Sequence, residues 1–310
     1  MYQRTPILGA AVALALAIPA AAQAATVYFP QGSAGSVAVV DGSTDSVVGR
    51  LTGLPAAHGL GGAPGARYLV AGSYEETQAG ATEVARPQGV SEDEHAAHHG
   101  DAAAPTADSG RSVSLLTILD AADGTVVRRL EVPGAVHHVA MSPDGAVALA
   151  TLPNDDGVSI VELSDLTVRP LVRTGPLPNY VAFSPDGSRA YVSNSGNGTV
   201  SEIDVERGIV RRNLLAGQSP EHLVMAPDGG TLYVADVEAG RVIALSVASG
   251  EVVGSFAAGG APHGLDLSDD GNTLFVSGRE EDKLLAIDLA SGERRSVGLA
   301  PAPYHVAAIR

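Results

Sequence analysis

The chain contains no cysteine and no tryptophan, and only 4 phenylalanines and 8 tyrosines. Without cysteine there is no disulfide and no thiol for lipid attachment. Any transition-metal site must then be built from histidine and carboxylate. Basic residues are also scarce: 19 Lys and Arg stand against 35 Asp and Glu, a formal net charge of −16. That surface repels phosphate backbones, which argues against nucleic acid as a partner, and it attracts cations. Long apolar runs are missing too. The one candidate, Ile7–Ala22, is short for a membrane span.

That run has a different reading. Arg4 precedes it, and Ala22-Gln23-Ala24 forms an A-x-A cleavage site. Residues 1–24 therefore read as a secretory signal peptide, with a mature chain 25–310 that is exported, periplasmic or secreted, and not inserted in a membrane after cleavage.

Glycine (37) and proline (19) are abundant, which favours short strands and tight turns. The turns repeat. Ser142-Pro-Asp-Gly145, Ser184-Pro-Asp-Gly187, Ala226-Pro-Asp-Gly229 and Ser268-Asp-Asp-Gly271 place their third residue at Asp144, Asp186, Asp228 and Asp270, a constant step of 42. Within the unit that starts at Asn179, NYVAFS, RAYVSNS, TVSEIDV and IVRRNLLAG read as four strands joined by turns. A four-stranded meander repeated every 40–45 residues or so is a propeller blade. Six third-strand segments can be counted: 36–41, 112–120, 157–163, 199–204, 241–246 and 283–288. The expectation is an all-β, six-bladed β-propeller. The N-terminal TVYFP and C-terminal PYHVAAIR are expected to complete one blade between them and close the ring.

The segments YVSNSGNGTVSEID, LYVADVEAGRVIALS and GAPHGLDLSDDGNTLFVSG resemble the YVTN-type repeat of exported, YncE-like bacterial propellers. The resemblance covers nearly all of 26–310. It implies the fold and says little about function, because such propellers host many activities.

One unit is interrupted. Residues 73–111 are acidic, rich in Ala, Pro and Gly, and nearly free of large apolar side chains. They read as a disordered insert within the propeller domain. The insert carries His95, His98 and His99 among Glu92, Asp93, Glu94 and Asp101. Short His-rich tracts bind divalent ions, although a solvated low-complexity loop has the same composition. Strand order places this connection, between second and third strands, on the same face as the start of every innermost strand.

Those starts carry the remaining histidines. In register they read His58-Gly59, His137-His138, Asn179-Tyr180, Glu221-His222, His263-Gly264 and Tyr304-His305. The second position holds histidine in alternate blades: His138, His222 and His305. Three imidazoles converging on a six-fold hub have the ligand count of an exchangeable zinc site, with copper also suited to imidazole. Glu221, Tyr180 or water would complete the shell. Because successive strand residues point to opposite faces, only one of the two positions is expected to face the axis. If it is the first, His58, His137 and His263 form the triad, although a Pro-His-Gly start is also ordinary repeat architecture.

The pattern is similar to that of periplasmic β-propeller zinc metallochaperones, which implies delivery of the ion to a metal-binding protein of an ABC importer. Two other readings stand beside it: a metal-dependent lyase or lactonase using the same histidines, and a metal-free interaction scaffold.

Overall fold

A computed structural model describes residues 26–31, 34–41, 44, 46–79, 112–278 and 281–298. Six antiparallel sheets form the blades of a β-propeller. Blade 4 shows the plan, with Pro178–Phe183 innermost, then Arg189–Asn194, Thr199–Asp204 and Ile209–Leu215. Blade 5 runs from Pro220–Met225 to Val252–Ala257, and blade 6 from Pro262–Leu267 to Arg294–Gly298.

Blade 3 opens with Val139–Met141, and its outer strand is split into Thr167–Val168 and Val172–Arg173. Pro170, which has no N–H to donate, stands at the break. In blade 1 the described strands are Thr26–Gln31, Ser36–Asp41 and Ser46–Thr52. The N-terminal strand pairs as a second strand should, Tyr28 opposite Val39. The expected closing strand near the C-terminus lies outside the described residues, as does the signal segment. Among the described residues, no helix is long and apolar enough to cross a membrane.

The four repeated turns hold the meanders in step. Asp144 Oδ1 accepts from Ser142 Oγ at 2.6 Å and from the Ala146 amide at 3.0 Å. Asp186 and Asp270 repeat both bonds, and Asp228 accepts from the Gly230 amide at 2.8 Å. The glycine that follows each aspartate has φ between 69° and 71°, a region where a Cβ is costly. Third-position Asp and fourth-position Gly are thus turn chemistry.

The core lies between blades. Val70, Leu116 and Ile118 of blade 2 pack with Val139, Ala148 and Leu152 of blade 3. Tyr191 and Val200 of blade 4 pack with Leu232 and Ile243 of blade 5. Middle strands are buried on both faces, so they read as near-continuous apolar runs. Outer strands such as Val252–Ala257 alternate between exposed and half-buried.

In blade 2 the second strand Tyr68–Ser73 is followed by a short strand, Thr77–Gln78, which pairs with Ser112 and Val113. The first residues of the expected disordered insert therefore belong to the sheet. Glu76 supplies the reason. It accepts hydrogen bonds from Ser112 Oγ (2.6 Å), Asn154 Nδ2 (2.9 Å) and the Ala135 amide (3.0 Å), tying the strand to blade 3. His95, His98 and His99 lie outside the described residues.

Candidate metal site at the propeller mouth

The inner strands do not start as regular strands. In blade 4, Pro178 pairs with Asn194 and Val181 with Val192, so Asn179 and Tyr180 together oppose Ser193. In blade 5, Glu221 and His222 together oppose Ala235. Similar register shifts fall at His58 in blade 2 and His263 in blade 6. In blade 3 the His137 amide donates to the Thr151 carbonyl at 3.0 Å, and the Thr151 amide donates to the His138 carbonyl at 2.9 Å.

A bulge breaks the two-residue alternation and re-aims side chains. This corrects the expectation that one position only faces the hub. His137 and His138 are adjacent in sequence, yet both rings contact the ring of Tyr180, at 5.3 and 4.7 Å between centroids.

Tyr180 is 3% exposed and lies across the hub. Besides those two rings it meets His222 at 4.6 Å and His263 at 5.7 Å, edge-on to the latter. Imidazoles from three blades thus rest on a phenol from a fourth. The sequence shows only one tyrosine among the second-position residues of the described blades, and gives no sign that it forms the floor.

The second-position residues do not gather as a bare triad. Tyr180 is the neighbour of both His138 and His222, and His305 lies outside the described residues. The chemistry of His138 is set by its backbone partner: Nδ1 accepts from the Val181 amide at 3.3 Å. An amide only donates, so the neutral ring carries its proton on Nε2.

The first-position residues behave in the opposite way. His58 Nδ1 is 2.8 Å from the carbonyl oxygen of His137, and His137 Nδ1 is 3.1 Å from that of Asn179. A carbonyl only accepts, so both rings are Nδ1–H tautomers and both direct an Nε2 lone pair elsewhere. The two rings lie 5.1 Å apart. The Asn179 carbonyl also accepts from Thr151 Oγ1 at 2.8 Å, using both of its lone pairs.

His58 is exposed and touches Tyr74 at 5.2 Å, where the chain leaves for Thr77–Gln78. Tyr74 contacts His58, and Glu76 holds the amide two residues before His137, so the root of the insert sits on the histidine face as strand order requires.

Burial pushes His137 below the ordinary 6.5 of histidine, against the opposing pull of the Asn179 carbonyl. His58 and His263 lower it further and Glu221 raises it, which places all three within electrostatic reach. His263 Nε2 stands 3.3 Å from Glu221 Oε2, with side chains 4% and 16% exposed, and 3.4 Å from the Tyr180 hydroxyl. The loop that delivers Glu221 is held by buried Asp236, which accepts from the Gln218 and Ser219 amides and pairs with Arg241. Among the described residues, no three histidine or carboxylate side chains stand together as a ready-made cage.

No protein-family profile and no curated protein matches the chain. Solved structures do. The hydrazine synthase of Kuenenia stuttgartiensis superposes with a TM-score of 0.69 at 16% identity, covering 90% of this chain and 85% of that one. The β-propeller domain of Cps50 (Swd1) from Myceliophteria thermophila gives 0.66 at 13%, covering 91% and 88%. At such identities the likeness is one of fold.

Proposed function

We propose that this protein binds a divalent transition-metal ion, zinc foremost and copper second, at the propeller mouth, and that it carries the ion rather than turning over a substrate. The observation that supports this reading is the paired orientation of His58 and His137. Each gives Nδ1–H to a backbone carbonyl and keeps its Nε2 lone pair, the outer-sphere arrangement typical of metal-binding histidines. Glu221 is the carboxylate whose charge raises the His137 pKa. Because the side chains are not already caged, the ion would draw Glu221 and the exposed His58 toward His137. Such a partly assembled site suits an ion that must be passed on.

The reading extends to an exported carrier whose acidic His segment captures ions and whose partner is a metal-binding protein of an importer. The Tyr180–His263–Glu221 contact favours a second reading, a metal-assisted lyase or lactonase with Tyr180 and His263 moving protons.

The test is a zinc competition titration of chain 25–310 beside His58→Ala/His137→Ala and a deletion of 90–101. The double variant is expected to lose affinity by about tenfold or more, and the deletion to slow capture while leaving the mouth site intact. Equal affinity in wild type and the double variant would remove the site proposed here.

A further inference from the structure

The outer strands share one position that reaches across to the next blade. In blade 4 it is Arg212, opposite Glu202, and in blade 3 it is Arg169, whose amide bonds to Ile160. Each guanidinium crosses the seam and donates to two backbone carbonyls in the turn between the third and outer strands of the following blade. Arg169 reaches Val205 at 2.6 Å and Glu206 at 3.1 Å, and Arg212 reaches Val247 and Ala248. A carboxylate of the same blade, Glu162 or Glu202, balances each charge. Arg128 and Arg295 hold the position in blades 2 and 6.

In blade 1 the position is Gly49, opposite Val39. The backbone there does not call for glycine. Its φ is not in the left-handed region, and a Cβ would meet only the Val39 side chain, at 3.6 and 3.8 Å, an ordinary contact. The missing side chain leaves a cavity of about 270 Å3 in the seam between blades 1 and 2. Tyr28, Val39, Leu51 and Leu69 line it, and blade 2 adds its turn with Ala121, Ala122 and Asp123. Asp120 opposes Tyr68 as Asp204 opposes Arg189, so Ala121 and Ala122 correspond in register to Val205 and Glu206. Blade 5 also has glycine here, Gly254, but the Phe256 ring stands 3.9 Å from its Cβ position and packs on the blade core with Leu289. In blade 1 no ring takes that place.

We propose that the seam between blades 1 and 2 is a binding site for a guanidinium group supplied by another molecule. The group would donate to the Ala121 and Ala122 carbonyls as Arg169 does to its pair. Asp123 would balance the charge, and the apolar stem would lie along Val39 and Leu51. A planar fork of donors matches two neighbouring carbonyls, where an ammonium presents a single point. The net charge of −16 favours a cationic ligand. Arg50, which also lines the cavity, gives its guanidinium to Gln31 Oε1. The source is a small guanidinium solute or an arginine side chain of a partner protein.

The experiment titrates chain 25–310 with L-arginine and with the blocked tripeptide acetyl-Gly-Arg-Gly-amide, each beside its lysine form. The Tyr28 ring and the Ala121–Gly124 amides are followed by NMR. Wild type is compared with Gly49→Arg, Asp123→Asn and Arg50→Ala. Asparagine at 123 keeps an oxygen for the Thr125 amide. Saturable shifts are expected with the guanidinium probes, and the lysine forms should bind about tenfold or more weakly, the worth of one charge-assisted hydrogen bond. Gly49→Arg refills the seam from within, so it should abolish the shifts and melt no lower than wild type. Asp123→Asn should weaken binding, and Arg50→Ala should bind at least as tightly as wild type. Tighter binding of L-arginine assigns the site to a small solute, and tighter binding of the tripeptide to a partner's side chain; either supports it.

No saturable shift with either probe would overturn the proposal. So would an equal response to the lysine forms, or undiminished binding in Gly49→Arg or in Asp123→Asn. Binding seen in Arg50→Ala alone would mean that the chain's own arginine closes the seam, and would overturn it too.

Discussion

The Nδ1 atom of His58 lies 2.8 Å from the backbone carbonyl oxygen of His137, and in the next blade His137 repeats the contact to Asn179 at 3.1 Å. Each imidazole therefore pins the inner strand of the blade that follows. The same bond that fixes the tautomer also couples neighbouring blades, so mouth chemistry and ring geometry are linked.

His137 should titrate below 6.5 in the folded protein, since burial disfavours the imidazolium. As pH falls below 6.5 the unfolded chain takes the proton first. Stability is then lost progressively from 6.5 down to the folded pKa, and His137 contributes nothing to pH dependence above that window. An NMR titration of the imidazole signals, with denaturant unfolding at several pH values for wild type and His137→Gln, checks this. A His137 signal titrating at or above 6.5 would refute it.

Tyr180→Ala should destabilise by about 3–5 kcal/mol, because it empties a buried site against four imidazoles. Tyr180→Phe keeps the ring contacts and loses only the hydroxyl near His263, a change of about 1 kcal/mol. Urea unfolding of the two variants decides it. Similar costs for both would mean that the ring is not the floor described here.

Gly59→Ala should destabilise by about 1–3 kcal/mol. A Cβ there would stand 2.8 Å from the Val139 nitrogen and 3.0 Å from His138 backbone atoms, which cannot yield without moving blade 3. Gly298→Ala, where a Cβ meets nothing within 4 Å, serves as the control. Thermal melting that ranks the two equally would contradict the close approach of the inner strands.

Glu76 is held below the usual 4.5 by its hydrogen bond from Ser112, then by those from Asn154 and Ala135. A carboxylate depressed in this way stabilises the fold fully above the unfolded pKa, and the contribution is lost as pH falls through the folded pKa. Hydrogen exchange at Thr77, Gln78 and Ala135 should accelerate across that fall in wild type. In Glu76→Gln it should already be faster at neutral pH and change less with acidification. Unchanged protection in the variant would remove Glu76 from its anchoring role.

The propeller was legible because its signals are local. A 42-residue step carried by Asp and Gly turns follows from hydrogen bonds spanning two residues and from φ near +70°, and neither depends on the rest of the chain. Third-strand segments read at 36–41, 112–120, 199–204 and 241–246 are the observed strands. The strand Thr77–Gln78 at the start of the insert is not legible for the opposite reason: it is two residues long and is held by Glu76 through contacts with Ser112, Asn154 and Ala135.

At the mouth, the register alignment groups His137, His138, Tyr180, His222 and His263, whose rings meet, whereas strict strand alternation separates the members of each pair. Bulges at Asn179-Tyr180 and Glu221-His222 admit both members of each pair to the hub. The amino-acid order alone determined how many blades there are, where they turn and which face carries the histidines, since these depend on short-range bonding and periodicity. Which nitrogen of His58 and of His137 carries the proton, and which side chain fills the axis, was decided by carbonyls and rings brought in from neighbouring blades. Those groups are 40 or more residues away along the chain, His58 to His137 by 79, and only the packing of successive blades side by side puts them within bonding distance.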